Sequence, residues 1–358
     1  MVVMLIRDKF VVKSRFSDYE VIFVNDFTIL LKQYAANDSL FIIDQKVYSL
    51  YKSRIDSVLP VEKVILIDAL EINKNIDYCQ IVIKKLIEKN IKRNYTIFSV
   101  GGGIIQDITA FIASILYRGI DWIFIPTTLL AQSDSCIGSK TSMNLGDKKN
   151  LLGTFYPPTQ IHIDTNFLET LSTNDIKSGI GEILHFYFYA NSPLIKRLID
   201  DYDKSIKDYK LLNEHIKASL AIKRKVIEID EFDKDERNKF NYGHTFGHAI
   251  ETLTKYKINH GQAVTMGMDI ANYLSEKLGY MDKDVFISMH RILEKNIPEL
   301  DINEYDLDEF FVALSKDKKN VGKNLVCILS KGPGRMIKES IPFNDKLKNI
   351  IVSYFVMP

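Results

Sequence analysis

The sequence predicts a two-domain protein, in which an N-terminal doubly wound α/β domain is followed by a mainly helical domain. Short β-rich runs alternate with helical stretches through the first half, which implies parallel strands joined by crossover helices. After about residue 170 the pattern changes to successive helices, with no strong strand until 325–329. The α/β domain is therefore predicted at 1–171 and the helical domain at 172–358.

Buried strands are predicted in the first domain where β-branched and aromatic residues form uninterrupted apolar runs. These runs are 21–24, 40–43, 63–67, 95–100 and 122–126. A stretch with apolar residues at helical spacing, 78–90, separates the third run from the fourth. Because sheets of this kind bind ligands at the carboxyl ends of their strands, a ligand site is expected in the loops that follow.

Helices are predicted through the second domain. The first of them follows a polar tetrapeptide, Ser172 to Asp175, whose side chains can cap a helix N-terminus. The helical patterns cover 176–190, 194–201, 211–228, 243–255, 261–278 and 283–295.

Composition excludes several classes of protein. Of the 358 residues 46% are hydrophobic and 26% charged, and the formal net charge is +1, which gives no indication of a nucleic-acid or acidic-membrane partner. No apolar run has membrane-spanning length, and the N-terminus is charged too early for a signal peptide. The 3 cysteines are far apart, as is typical of reduced thiols, so a cytoplasmic location is expected.

Three of the 7 histidines lie close together in the second domain, at His244, His248 and His260. His244 and His248 are four residues apart, so a helix would place both imidazoles on one face. Two imidazoles and one carboxylate form a common catalytic zinc set with an open fourth position. The spacing therefore predicts a divalent metal site, although it leaves open whether His248 is a ligand or a substrate contact.

The carboxylate ligand is less obvious, because the chain has many acids. Glu182 lies among apolar residues of a predicted helix, where a carboxylate needs a partner such as a metal or a buried lysine. A second group of acids is better explained as a solvated charged face: Asp230, Glu231, Asp233 and Asp235.

Three successive glycines, at 101–103, follow a predicted strand and precede a helical pattern. Such a turn lets the backbone approach a pyrophosphate at a helix N-terminus. It differs from the usual dinucleotide fingerprint, and a plain strand-to-helix turn is the alternative. Asp44, at the end of the second strand, is either a ribose acceptor or an ordinary turn aspartate.

The segment 126–156 is dense in small hydroxyl residues and is expected to be one long loop. A solvated loop is one interpretation, whereas long loops inside compact domains are usually functional. The alternative is a cationic, hydroxyl-lined wall for a polyhydroxylated anion, carrying Asp134, Lys140, Lys149 and Asn150. Further cations and amides lie near the metal segments, and each alone is most simply a surface residue: Lys223, Arg237, Asn241, Lys318 and Lys319.

The order of these motifs resembles the 3-dehydroquinate synthase family within the sugar phosphate cyclases. The resemblance runs through most of the chain and is most specific in its last two segments. The matching segments are 101–107, 117–119, 126–130, 134–140, 149–150, 181–182, 241–251 and 260–264.

The resemblance implies an NAD-binding first domain and a metal-binding second domain, with the site in the cleft between them. It assigns Glu182, His244 and His260 as zinc ligands, with cobalt as a possible substitute, and His248 as a contact of the substrate phosphate. Positions that match NAD contacts are Asp44, Glu71, Lys74, Gly102, Gly103, Asp107, Thr127, Thr128, Lys149 and Thr170.

Substrate-binding positions follow from the same resemblance: Asp134, Lys140, Asn150, Lys223, Arg237 and Asn241. Lys140 and Arg237 would hold a carboxylate. Arg118 matches an arginine that crosses a homodimer interface to the substrate phosphate, and Lys318 matches a phosphate-binding lysine.

The implied reaction closes a seven-carbon keto-acid phosphate, 3-deoxy-arabino-heptulosonate 7-phosphate, into the carbocycle 3-dehydroquinate, with loss of inorganic phosphate. It belongs to the shikimate pathway of aromatic amino acid biosynthesis. NAD oxidises a ring hydroxyl transiently and later returns the hydride, so no net oxidation occurs. Zinc orients adjacent hydroxyls as a Lewis acid.

Three positions depart from the family pattern. His185 stands where the family usually has lysine, Gln106 where it has glycine, and Gln262 where it has glutamate. These departures leave open a sister cyclase acting on another sugar phosphate. A metal-dependent polyol or glycerol phosphate dehydrogenase with the same two-domain plan is a further alternative.

Overall fold

A computed structural model of the chain describes residues 9–146, 148–316, 320 and 322–357. The chain divides into two compact units, of which the first comprises Met1–Ser172 with Leu212–Phe232 and the second Thr173–Leu211 with Asp233–Pro358. The domain boundary at residues 171 and 172 stays a prediction. The segment Leu212–Phe232 belongs to the first unit, although its helical sequence pattern is typical of the predicted second domain.

The strands are short and lie mainly in the first unit. They are β1 Lys9–Val12, β2 Tyr19–Phe23, β3 Ser39–Asp44, β4 Val64–Ile67, β5 Thr96–Gly101, β6 Asp121–Pro126, β7 Met143–Leu145, β8 Lys148–Leu152, β9 Gln160–Ile163, β10 Asn324–Ser330 and β11 Met336–Pro342.

The α-helices dominate the second unit. They are α1 Phe27–Ala35, α2 Gln45–Asp56, α3 Ile76–Glu88, α4 Gly103–Ile115, α5 Thr173–Ala190, α6 Leu194–Asp200, α7 Tyr202–Lys207, α8 Leu212–Ile229, α9 His244–Leu253, α10 His260–Lys277, α11 Lys283–Leu293, α12 Leu307–Ser315 and α13 Asp345–Phe355. None of the described helices combines the length and the apolarity needed to cross a bilayer.

A seven-stranded sheet forms the centre of the first unit, in the order β1-β2-β9-β6-β5-β3-β4. All its pairings are parallel except that of the edge strand β1 with β2, so the sheet is mixed. The predicted α/β architecture is confirmed, and β2 to β6 correspond to the five predicted runs. β3 lies between β4 and β5, so the chain reverses its direction of winding there, which is the usual place for a ligand.

One face of this sheet is covered by α1 and α2 through a cluster of buried aromatic and aliphatic side chains. The rings of Phe41 and Phe98, from adjacent strands, stack with their centroids 4.7 Å apart. Phe27 of α1 lies 4.5 Å from Phe167. Each fully buried ring of this size stabilises the fold by about 2–3 kcal/mol, so the strands that carry the ligand loops are firmly held.

The segment 126–156 contains regular structure, so the expectation of one long loop is wrong. It forms a π-helical turn at Ala131–Ser135 and the antiparallel hairpin of β7 and β8. Polar side chains stabilise this regular structure, because they form hydrogen bonds with backbone groups. Gln132, which is fully buried, donates to the carbonyl oxygens of Pro126 and Asp164 at 3.0 and 2.9 Å.

The second unit is built around α10, most of whose residues are buried. This helix packs against α5, α9, α11, α13 and β10. The hairpin of β10 and β11 adds a small sheet that the sequence indicated only by its first strand. Because α5, α9 and α10 also carry the predicted metal ligands, the core of this unit positions them directly.

Candidate active site

Glu182, His244 and His260 converge in the second unit. The Oε1 atom of Glu182 lies 3.7 Å from Nε2 of His244 and 3.3 Å from Nε2 of His260. All three ligand atoms lie within 4.8 Å of one another. A tetrahedral zinc ion with bonds of about 2.0–2.1 Å holds its ligand atoms roughly 3.4 Å apart. The spacing of the three atoms therefore suits a zinc ion.

Two glycines bring the carboxylate and one imidazole together. A Cβ atom on Gly181 would lie 2.0 Å from the carbonyl oxygen of Gly261, and one on Gly261 would lie 1.7 Å from the carbonyl oxygen of Ser178. Only glycine allows this approach of α5 to α10. Glu182 follows the first glycine and His260 precedes the second, so the contact of the two backbones places their side chains side by side.

His244 begins α9 next to another close approach. Gly243, the residue before it, has φ +79°, a left-handed conformation that glycine adopts without strain. A Cβ atom on Gly267 of α10 would lie 2.1 Å from the carbonyl oxygen of Gly243. The start of α9 is thus held against α10, and His244 is held with it.

Each imidazole is held from behind by an acceptor at its Nδ1 atom. His260 Nδ1 lies 3.2 Å from Oε2 of Glu251, and His244 Nδ1 lies 3.2 Å from the carbonyl oxygen of Tyr242. With the proton on Nδ1, each ring presents the Nε2 lone pair towards Glu182, which is the tautomer a metal requires. Glu251 was not among the predicted site residues, although its position seven after His244 places both on one helical face.

The electrostatics of Glu182 also fit a cation. Its side chain is buried, and no described residue makes a well-aligned hydrogen bond to Oε1. Burial raises the pKa of this carboxyl, but in the absence of a metal the protonated forms of the neighbouring imidazoles, led by His244 and then His260, outweigh burial and hold the pKa well below its usual range. A buried carboxylate with an unsatisfied oxygen is costly unless a cation faces it.

His248 lies beside this group, exposed on α9, with its ring centroid 5.7 Å from those of both His244 and His260. Its ligand atom groups with those of Glu251 and His260, not with that of Glu182. The two roles that the sequence left open, ligand and substrate contact, are therefore both compatible with its position.

His185 lies directly behind the carboxylate ligand. Its Nδ1 atom is 3.8 Å from Oε2 of Glu182, and the ring is almost fully buried. It packs against Phe186 and Phe240 at centroid distances of 5.1 and 5.9 Å and stacks on Tyr242 at 6.2 Å. The departure from the family pattern thus lies next to the predicted carboxylate ligand.

The glycine turn of the first unit fits a nucleotide phosphate. It joins β5 to α4 at the reversal point of the sheet, beside the end of β3 where Asp44 lies. Gly102 is the N-cap residue and has no side chain with which to cap the helix. A Cβ atom there would lie 3.0 Å from Cγ2 of Thr128, so a larger residue would have to displace that side chain.

Charged side chains at the predicted NAD positions form one connected group. Lys74 Nζ lies 2.7 Å from Asp107 Oδ2, and Lys149 Nζ lies 3.9 Å from Glu71 Oε1. Asn144 connects to Glu71 through a 2.8 Å hydrogen bond. Burial raises the pKa of Asp107, and the charge of Lys74 offsets this only in part.

The remaining predicted NAD positions differ from one another in their local contacts. Thr127 has a buried hydroxyl with no hydrogen-bond partner among the described residues, whereas that of Thr128 accepts a bond from the Ala131 amide at 3.2 Å. Asp44 caps α2 by accepting from the Lys46 amide at 3.0 Å. Thr170 bonds to Tyr51 and to the Phe167 carbonyl, away from the other positions.

The predicted substrate positions fall in both units. Asp134, in the π-helical turn, lies 2.8 Å from Lys223 Nζ, which also donates to the Asp134 carbonyl at 2.7 Å. Lys140 is exposed and precedes β7, and Asn150 lies in β8 with φ +53°. Arg237 and Asn241 lie in the short 3₁₀ segment Glu236–Asn241 just before His244, and Arg237 is buried there. Lys318 and Lys319 lie outside the described residues.

Arg118 occupies a strained turn. The φ values of this turn are +53° at Tyr117, +63° at Arg118 and +123° at Gly119. Residues other than glycine rarely adopt positive φ values. The hydroxyl of Tyr117 donates to the Ile91 carbonyl at 2.9 Å and helps to hold the turn. Strain of this kind usually persists where it serves a function.

Solved structures share the fold. The chain superposes on 2-deoxy-scyllo-inosose synthase complexed with carbaglucose-6-phosphate, NAD+ and Co2+ with a TM-score of 0.85 and 24% identity, covering 97% of this chain and 99% of that one. It superposes on 2-epi-5-epi-valiolone synthase from Streptomyces hygroscopicus subsp. jinggangensis 5008, with NAD+ and Zn2+ bound, with a TM-score of 0.81 and 23% identity, covering 94% and 96%. The chain thus shares its fold with these two synthases.

Sequence comparison narrows the class. Residues 64–178 match the family model for the 3-dehydroquinate synthase N-terminal part, and residues 179–320 match that for the C-terminal part. The 3-dehydroquinate synthase of Clostridium tetani (strain Massachusetts / E88) is 38% identical over 291 residues, which cover 80% of this chain and 78% of that one. The chain belongs to the 3-dehydroquinate synthase family.

Proposed function

We propose that this protein is an NAD- and zinc-dependent 3-dehydroquinate synthase, a lyase that cyclises 3-deoxy-arabino-heptulosonate 7-phosphate to 3-dehydroquinate and releases phosphate. The observation that carries the proposal is the convergence of Glu182, His244 and His260 in a chain of this family. The reaction would serve the shikimate pathway. The cytoplasmic location expected from the sparse cysteines stays a prediction.

Glu182, His244 and His260 would hold the metal, and Glu251 and the Tyr242 carbonyl would keep the two imidazoles in the ligating tautomer. A bound zinc or cobalt ion supplies Lewis acidity for the substrate hydroxyls. NAD supplies a transient oxidation that is reversed within each turnover. The glycine turn and the positions around Lys74 and Asp107 would hold its phosphates and ribose.

The substrate-binding residues have roles that follow from their charge. Lys140 and Arg237 are the cations proposed for the carboxylate, and Arg is suited to bidentate binding of that group. His248, Lys318 and Arg118 are proposed for the phosphate. Asp134, Asn150, Lys223 and Asn241 are proposed to bind hydroxyls, and Lys223 holds the Asp134 segment in place through the two contacts described above.

A homodimer in which Arg118 reaches the phosphate bound by the partner protomer is part of the proposal. The three consecutive residues with positive φ support it, because backbone strain of this kind often marks a functional segment.

The purified protein, incubated with 3-deoxy-arabino-heptulosonate 7-phosphate, catalytic NAD and zinc, is expected to release inorganic phosphate with no net formation of NADH. Phosphate is measured colorimetrically and NADH by its absorbance. Steady accumulation of NADH would instead indicate a polyol or glycerol phosphate dehydrogenase. Neither phosphate nor NADH from this substrate would contradict the proposal.

A sister cyclase acting on another sugar phosphate is the second candidate, favoured by His185 behind Glu182. In this case a panel of sedoheptulose, aminosugar and hexose phosphates would include a better substrate than the heptulosonate. The same phosphate assay decides between the two candidates.

His185→Lys is expected to raise kcat/KM for the heptulosonate phosphate several-fold, on the order of one ordinary hydrogen bond, if His185 tunes specificity. The ammonium would place beside Glu182 the cationic side chain that the family pattern usually has at this position. His185→Gln, which adds no charge, is the control. An unchanged kcat/KM in the lysine variant, with zinc content preserved, would mean that the position is passive.

A further inference from the structure

The π-helical turn Ala131–Ser135 is held by side chains at three successive carbonyl oxygens. Ser219 Oγ donates to the Ser133 carbonyl at 2.8 Å, Lys223 Nζ to that of Asp134 at 2.7 Å, and Gln106 Nε2 to that of Ser135 at 2.7 Å. Ser219 and Lys223 are one turn apart on α8, whereas Gln106 comes from α4. π-Helical turns are rare and occur mostly at functional sites, so the three bonds stabilise an otherwise unfavourable backbone.

Gln106 is bonded to Ser135 in both directions. Besides the bond that it donates, its Oε1 atom accepts one from Ser135 Oγ at 2.7 Å. The side chain is only 7% exposed, so water competes little for these bonds. A reciprocal pair of this kind fixes both the position and the orientation of Ser135, which directly follows Asp134.

The backbone of Gln106 belongs to the glycine turn. Its amide donates to the Gly102 carbonyl at 3.0 Å, in the first turn of α4. One residue therefore touches the phosphate-binding turn through its main chain and the Asp134 segment through its side chain.

We propose that Gln106 is a positioning residue that fixes Asp134 relative to the glycine turn, and so aligns the substrate hydroxyl with the nicotinamide nucleotide. This inference rests on the proposed function, in which Asp134 binds substrate and the glycine turn binds NAD. Both polar atoms of the Gln106 side chain bond to Ser135, so the residue acts through that neighbour. Its loss changes the geometry of the reaction more than the affinity for NAD, because the backbone of the glycine turn stays intact.

Gln106→Met tests this, because methionine has nearly the same length and volume but makes neither hydrogen bond. We expect kcat/KM for the heptulosonate phosphate to fall about 10–100-fold, as for a small misplacement of a contact group. The dissociation constant for NAD alone, measured by calorimetry, should change less than about twofold. Gln80→Met, at an exposed position of α3, is the matched control with unchanged kinetics.

A double-mutant cycle identifies the bond responsible. Ser135→Ala removes only the bond that Gln106 accepts, so its loss in kcat/KM should be smaller than that of Gln106→Met. The double variant should be no worse than Gln106→Met alone, because the two residues act as a unit. Strictly additive losses would contradict the proposal, as would a folded Gln106→Met enzyme with unchanged kcat/KM.

Hydrogen exchange separates failure of this inference from failure of the proposed function. Amides of the peptide 131–136 should exchange faster in Gln106→Met than in the parent protein and the Gln80→Met control, whatever the substrate. Unchanged exchange would overturn the tether itself. Faster exchange with unchanged kcat/KM would overturn its role in alignment. A parent protein that releases no phosphate would contradict the proposed function and with it the alignment role, and exchange would still test the tether.

Discussion

His260→Ala is expected to abolish zinc binding and phosphate release together. The change removes one of three ligand atoms, and it leaves the buried carboxylates of Glu182 and Glu251 without their common imidazole. Loss of an outer partner of a ligand costs about 10–100-fold in metal affinity, and loss of a ligand should cost more than that. Zinc content after dialysis against a chelator, measured alongside phosphate release, reports both effects.

His290→Asn is the matched control, since it changes another imidazole of the same unit. His290 Nδ1 lies 2.7 Å from Asp269 Oδ2, and the asparagine amide can still donate a bond there. Zinc content should stay at one equivalent per chain in this control. The ligand assignment would be refuted if His260→Ala also retained a full equivalent of zinc.

Lys223→Met is expected to reduce both stability and activity. The side chains of Lys223 and Asp134 are 9% and 22% exposed, and their charged atoms are 2.8 Å apart. Removing one partner of a largely buried pair leaves an uncompensated charge, at a cost of about 2–4 kcal/mol in the free energy of unfolding. Because the same ammonium holds the π-helical turn, kcat/KM should fall by about 100-fold. Denaturant unfolding and the phosphate assay measure the two effects.

Lys225→Met provides the control for this change, because Lys225 is exposed on the same helix. Its unfolding free energy should stay within about 0.5 kcal/mol of the parent value, with unchanged kinetics. If Lys223→Met were as stable and as active as this control, the pair with Asp134 would have no role in holding the turn.

Much of the fold could be predicted because its central elements have strong patterns. The runs that became β3 to β6 are continuous and apolar, as expected of strands covered on both faces. Among the strands that were missed, β1 and β9 are four residues each and combine polar with apolar positions, so no periodic signal distinguishes them from loop. The π-helical turn was missed because side-chain bonds from distant segments stabilise it, not its own propensity.

The metal site was likewise predicted only in part from its residues. Residue types and spacing predicted a site built on the histidine cluster but left His248 and the identity of the carboxylate open, and the resemblance then assigned the ligands. In the structure, Glu182 Oε1 faces Nε2 of both His244 and His260. That geometry depends on backbone contact at Gly181 and Gly261, which lie far apart in the chain.

The sequence by itself indicated the chemistry of this protein, since the predicted zinc set, the predicted phosphate-binding turn and the family motifs are properties of residue types in a fixed order. Only the tertiary structure showed that Glu251 orients His260, and that Gln106 and Lys223 hold Asp134. The physical reason is that these relations are distances between residues remote in sequence. The local sequence pattern predicts the secondary structure of a segment, whereas tertiary packing determines which segments come into contact.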